Sequence, residues 1–317
     1  MIKIKSLSVA VLVAASVSPV AACDFCSVSC VCDTQGANKG FFSGATEQFT
    51  HFGSMQLDGH KVDNETGQWL DSSITQVFAG YNFTKRFGVQ FNLPFIHREF
   101  KRPEGFAMDR GHESGLGDAS LTGNFVVFEK RSEVFTVRWS LLGGIKLPTG
   151  SSTRITEELS EVGFPGAPES GIHGHDLALG SGSVDGIIGS GVFARWKHLL
   201  VTASLQYNAR TKGDYDYQFA NDLTWSVAPG GYLILNENHS LALQLLISGE
   251  DKGKDTFQGA SAPDTAMTSV YLGPQLTYTW SEKLSAQVGV DLPVLLDNSA
   301  LQAVPDYRIR AAVSWRF

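Results

Sequence analysis

Residues 307–317 read YRIRAAVSWRF. Tyr307, Ile309, Ala311, Val313, Trp315 and Phe317 fall on one face at a spacing of two, and Arg308, Arg310, Ala312, Ser314 and Arg316 fall on the other. Strict alternation over about ten residues is the pattern of a strand with one face in lipid and the other toward a polar lumen. Phe317 at the end of that strand is the expected contact with a barrel-assembly machinery.

The other end of the chain fits the same picture. Lys3 and Lys5 form a small basic region, residues 6–17 are apolar, and Val20, Ala21 and Ala22 offer a small-residue cleavage site before Cys23. This predicts a signal peptide over 1–22, too short for a membrane helix. No later stretch approaches the ~20 continuous apolar residues such a helix needs, so a membrane-spanning form must be a closed barrel. Loss of the two lysines takes the formal charge from −7 to −9, which argues against a nucleic-acid partner.

Period-two runs bounded by turn residues predict strands near 41–50, 73–83, 87–97, 116–128, 134–146, 182–195, 199–210, 218–235, 239–250, 267–280, 284–293 and 306–317. Connections after the even-numbered runs are tight (84–86, 129–133, 196–198, 236–238 and 281–283). The others are mostly longer, the longest being 147–181. The expected fold is all-β: a transmembrane antiparallel β-barrel of about twelve strands over 41–317, with short periplasmic turns, long extracellular loops and a place in the outer membrane. Phe83, Phe135, Trp196, Tyr278, Trp280, Trp315 and Phe317 fall at the periplasmic end of the apolar face, as an aromatic belt does. The opposite face is polar. Asp118, Arg138, Lys146, Asp185, Arg308 and Arg310 are its candidate lumen or constriction residues, with Asp118, Lys146 and Asp185 near the outer strand ends. Leu93-Pro94, Leu147-Pro148 and Leu292-Pro293 are expected to end outward-going strands, because proline lacks the N–H a ladder needs. Pro229 and Pro274 fall inside strands and should mark bulges or breaks.

Three segments, Gly115-Leu-Gly-Asp118, Leu142-Gly-Gly-Ile-Lys-Leu-Pro-Thr-Gly150 and Leu179-Gly-Ser-Gly-Ser-Val-Asp185, resemble in order and spacing the outer-membrane transporter family named for the meta-cleavage pathway of phenol degradation. The resemblance implies an outer-membrane barrel that passes small, often apolar molecules. The Cys-rich start of this chain departs from that family's pattern and looks like a variant of it.

Cys23, Cys26, Cys30 and Cys32 form a Cys-rich tail over 23–40, expected at the periplasmic mouth or inside it as a plug. Three readings stand: disulfides, thiolate binding of copper or zinc, and lipidation of Cys23. His173 and His175, in the longest loop behind Glu157, Glu158, Glu161 and Glu169, are candidate ligands for a divalent ion at the mouth. The expected function is an outer-membrane channel or transporter for a small solute, hydrophobic, aromatic or metal-related. The alternative is a structural barrel that docks a partner through its tail. An outer-membrane hydrolase is the third class: no G-x-S-x-G elbow is present, and His51 and His97 are bases to which spacing assigns no partner, so no catalytic residue is expected.

Overall fold

The computed structural model describes residues 39–159, 165–281 and 283–317. The expected signal peptide and the four cysteines lie outside them. Twelve strands form the wall: β1 (Gly40–Leu57), β2 (Trp69–Asn82), β3 (Phe87–Glu104), β4 (Ser120–Arg131), β5 (Phe135–Lys146), β6 (Asp185–Trp196), β7 (Leu199–Ala209), β8 (Asp222–Leu235), β9 (His239–Lys252), β10 (Met267–Trp280), β11 (Leu284–Asn298) and β12 (Leu301–Arg316). Each pairs antiparallel with the next. β12 closes on β1 from Phe42↔Arg316 to Leu57↔Leu301, so the barrel has no open edge.

The turns at one end are short because their residues cap themselves. Thr84 Oγ1 accepts from the N–H of Arg86 (3.1 Å) and Phe87 (2.9 Å), Ser132 Oγ from Phe135 (3.0 Å), and Asn236 Oδ1 from Asn238 (3.1 Å) and His239 (2.8 Å). Just above them Phe83, Trp196, Trp280, Trp315 and Phe317 face outward and exposed. Further up, Phe91, Leu121, Leu141, Leu205, Leu243, Val288 and Ile309 continue the apolar exterior, while Gln90, Thr122, Ser140, Asn208, Gln244 and Arg308 are buried inside. Glu47 interrupts this apolar exterior and accepts from Ser73 Oγ (2.5 Å) and from the Thr75 hydroxyl.

Several strands run beyond the expected limits. β1 continues past residue 50, β3 to Glu104 and β11 to Asn298, and residues 294–305, expected as a loop, reduce to a turn at Ser299–Ala300. Outside the bilayer the exterior face turns polar, so apolar alternation ends where lipid ends although the ladder goes on. The segment Ala107–Leu116 is the largest departure: it is a strand hairpinned onto β3 from Phe95↔Leu116 to Glu104↔Ala107. Two of the three Leu-Pro pairs therefore sit inside strands, where the missing N–H has no partner to lose. Pro94 lies between the β4 ladder, ending at Asn92↔Ser120, and the hairpin ladder, starting at Phe95↔Leu116. Pro293 lies past Asp291↔Arg308, where the β11–β12 ladder stops. Pro229 and Pro274 each interrupt one ladder without changing its register. The β8–β9 rungs skip from Val227↔Ile247 to Gly230↔Gln244, and the β10–β11 rungs from Leu272↔Leu292 to Gln275↔Gly289. Gln244 Nε2 donates to the freed Ala228 carbonyl at 2.8 Å, sealing the first break from the lumen side.

Apolar packing sits at the two ends of the interior. Phe193, Leu200 and Ala242, with Tyr232, cluster in the periplasmic half. At the outer mouth the β5–β6 connection turns inward. Its 3-10 helix Thr153–Leu159 and its single turn α1 (Gly174–Leu177) bring Ile172 and Leu177 against Met55, Leu70, Phe100 and Ala303, and Ile155 and Ala178 against Tyr217 and Phe219. Gly150 and Gly180 let the two limbs of this stopper touch: a Cβ on Gly180 would lie 2.4 Å from the Gly150 carbonyl carbon.

Candidate functional site in the barrel lumen

The stopper is held by charge as well as by packing. Arg98, on the inward face of β3, donates to the carbonyls of Asp176 and Ala178, the latter at 2.9 Å. His175 is buried; its Nδ1 lies 2.9 Å from Glu158 Oε1 and its Nε2 3.4 Å from Asp176. Burial alone would lower the His175 pKa, but Asp176 and Glu158, with Asp255 behind them, outweigh it and hold it at about 10. Burial likewise opposes ionisation of Glu158, yet the charge and hydrogen bonds of His175 bring that carboxyl down to about 2. Burial and Asp255 push the Tyr217 phenol up, and its Oη–Asp255 Oδ2 separation is 2.7 Å. His173 stacks on His175 with ring centres 5.7 Å apart and sets its Nε2 3.3 Å from Asp264. Of the two histidines expected to bind a metal, His175 thus meets two carboxylates and His173 a separate one. Among the described residues no group of three or more His, Cys, Asp or Glu is arranged to hold a metal ion.

Below the stopper lies a buried charge network. Lys146 Nζ, at the top of β5, lies 2.6 Å from Asp118 Oδ2 and 2.9 Å from Asp185 Oδ2. Asp185 continues to Arg210 (3.0 Å), and Arg210 to Asp222 (2.8 Å). Asp118 also accepts from the N–H groups of Gly150 (3.0 Å) and Ser181 (2.9 Å), so the network bolts both feet of the stopper to the wall. Sequence reading reaches Asp118, Lys146 and Asp185. It misses Ser181, Arg210 and Asp222, which join through a loop and a strand end where no periodicity marks a facing. Three carboxylates and two cations buried together are tolerable because each carboxylate oxygen finds a donor.

The remaining candidates lie elsewhere. Arg138 is buried in the periplasmic half, 3.7 Å from Glu129. Arg310 grips Asp291 with two contacts of 2.5 and 3.0 Å. Arg308 lays its guanidinium 4.1 Å from the centre of the Tyr271 ring. Both arginines line a mid-lumen cavity of about 240 Å³ with Thr202, Ser204, Thr224, Ser226, Gln244 and Gln287. A chamber of about 40 Å³ lies under the stopper between Arg98, His175 and Gln302. Tyr271 and Arg308 line both chambers and so stand where the two approach each other.

A closed antiparallel wall with an apolar exterior, an aromatic girdle and a polar interior defines an outer-membrane β-barrel. No protein-family model and no curated protein matches the chain. Among solved structures, an outer-membrane channel from Pseudomonas putida F1 superimposes with a TM-score of 0.62 and 17% identity, over 90% of this chain and 98% of that one. The β domain of the Bordetella autotransporter BrkA gives 0.46 and 8%, over 88% and 100%. The translocator domain of the autotransporter NalP from Neisseria meningitidis gives 0.42 and 11%, over 90% and 91%. At these identities the likeness is one of fold.

Proposed function

We propose that the chain is an outer-membrane channel for a small solute, with the Arg308–Tyr271 pair as its constriction and the β5–β6 stopper as its outer gate. The carrying observation is that one cation–aromatic pair borders both the 240 Å³ cavity and the chamber beneath the stopper. Hydroxyls and amides along the larger cavity, beside the apolar side chains of Phe193, Leu200, Ala242 and Leu246, suit a small solute with both polar and apolar groups. That mixed lining is compatible with the small, often apolar cargo implied by the phenol-pathway resemblance, and membership of that transporter family stays part of the proposal for the fold. The proposal keeps the Cys-rich tail at the periplasmic mouth, bearing disulfides, copper or zinc, or a lipid on Cys23; intact mass of the mature protein separates these. The channel is tested by planar-bilayer recording. The expected wild-type conductance is small, and Arg308→Ala raises it several-fold. Equal conductance in the two proteins removes Arg308 as the constriction, and no conductance in either removes the channel.

A further inference from the structure

The outer wall carries a feature the lumen does not use. β3 and the hairpin strand Ala107–Leu116 set four successive pairs on their outward face: Phe95 opposite Leu116, His97 opposite Ser114, Glu99 opposite His112, and Lys101 opposite Arg110. His97 places Nδ1 2.5 Å from Ser114 Oγ and Nε2 3.3 Å from Glu99 Oε1. A hydroxyl, an imidazole and a carboxylate are therefore joined in line, with the imidazole in the middle, which is the arrangement of an activated serine. His51, another histidine of the outer wall, has a carboxylate in Asp71 at 2.5 Å and stacks on Tyr307, where His97 has the hydroxyl of Ser114. Ser114 is exposed, and the His97 and Glu99 side chains are 43% and 57% exposed, so a substrate can reach them.

The height of the group says which substrate. Phe87 stands at the periplasmic belt, and His97 is ten positions further along β3. At a rise of ~2.5 Å per residue, for a strand tilted about 40°, that is ~25 Å, the height of the apolar band of such a barrel. The side chains repeat the gradient. Phe95 and Leu116, each about half exposed, face the acyl region. His97 and Ser114 stand at its outer edge, and Lys101 and Arg110 stand two rungs further out. The carboxylic ester of a membrane lipid lies between its chains and its phosphate, as this ladder is graded.

We propose that this face is an esterase site for acyl esters of outer-leaflet lipids, with Ser114 as nucleophile, His97 as base and Glu99 as the positioning residue for the imidazole. Ser114 Oγ attacks the ester carbonyl and its proton passes to His97. The carbonyl–alkoxy bond breaks and His97 returns the proton to the departing alcohol, which leaves as the deacylated lipid. Water then attacks the acyl-serine, giving one proton to His97; the fatty acid leaves and that proton restores Ser114. Glu99 holds the ring and faces the positive charge the imidazole acquires. His112, its ring centre 6.4 Å from that of His97, supplies a further imidazole on the same face to donate to the oxyanion. The site is independent of what passes through the lumen.

The test uses the full-length barrel in vesicles of phosphatidylethanolamine, and separately in vesicles containing purified lipopolysaccharide, with released fatty acid read by mass spectrometry. Fatty acid is expected from one lipid or both, and the vesicle that yields it names the source of the ester. Ser114→Ala and His97→Ala should each lower the rate at least ~100-fold. Glu99→Gln should lower it less and change its pH profile, and Glu99→Asp should recover part of the loss. A fluorophosphonate probe should label the folded wild type on the peptide bearing Ser114. Undiminished release by Ser114→Ala overturns the proposal, as does the absence of release above protein-free vesicles from both lipids with heat-modifiable, folded protein.

Discussion

The stopper should open as pH rises. Its latch is the buried His175–Glu158 pair, and the sign follows from the two shifts. His175 is raised from 6.5 to about 10, so its contribution to closure is complete below pH 6.5 and is lost as pH rises through 10. Glu158 is lowered from 4.5 to about 2, so its contribution is present above pH 4.5 and is lost only as pH falls toward 2. Of this pair, only the histidine side changes between pH 6 and 8.5. Integrating the linkage over that interval, with the open loop taken to have an ordinary histidine, gives on the order of 2–3 kcal/mol, one to two orders of magnitude in the opening equilibrium. The groups facing His175 are Glu158, Asp176, His173 and, across Tyr217, Asp255. The readout is hydrogen exchange, corrected for the intrinsic rate, at three amides that closure ties down: Ala178 to Gly174 O (3.1 Å), and Leu179 (3.0 Å) and Gly180 (2.8 Å) to Ser151 O. Protection there should fall by one to two orders of magnitude from pH 6 to 8.5, while wall amides such as Val288 keep theirs. Glu158→Gln should open the stopper already at pH 6 and flatten the slope. Equal protection at both pH values, or a Glu158→Gln protein as protected as wild type, refutes the latch.

Two further expectations concern the wall. Val288 faces lipid and Gln287 lines the cavity, so Val288→Arg should cost roughly 2–4 kcal/mol in urea titration of the reconstituted barrel and Gln287→Arg much less; equal costs would reject the facing. Lys146→Met leaves Asp118 and Asp185 buried without their shared cation and should cost ~3–5 kcal/mol, with a smaller further loss when Asp118→Asn is added; simple additivity would mean that the two do not act as one network.

How far the sequence carries depends on whether a property belongs to one strand or to two. Facing is local: alternation along β5 or β12 places Trp139 and Ile309 outside and Arg138 and Arg308 inside, and the structure agrees. Strand ends are harder, because a period-two reading registers lipid and is blind to the ladder beyond it. The charge network is intermediate. Two carboxylates and a lysine near outer strand ends suggest a cluster, but Arg210 and Asp222 enter through the β7–β8 connection, and no spacing announces that Asp185 bridges Lys146 to Arg210.

The His97–Ser114 contact is a property of two strands in the strictest sense. The residues are 17 apart, and apolar alternation predicts no strand between them. Yet the segment alternates once polarity is ignored and bulk is followed. Ile96, Arg98, Phe100 and Arg102 are buried, while Phe95, Glu99, Met108, Arg110, His112, Ser114 and Leu116 are exposed. Gly105, at φ 58°, makes the turn that a hairpin needs there. Folding 95–104 back on 107–116 about that turn pairs 97 with 114 and 99 with 112, with no other information required. The inward arginines then explain why the hairpin stands upright. Arg98 and Arg102 are drawn into the mouth, Arg98 by the Asp176 and Ala178 carbonyls and Arg102 by Glu157 at 2.6 Å. The inward β5–β6 connection therefore also braces the strand that carries His97 on its other face. A stopper loosened by Glu158→Gln should for that reason leave lipid hydrolysis at Ser114 intact only if the β3 hairpin keeps its register without those two anchors. Measuring fatty-acid release in that variant tells whether gate and outer face share one support or two.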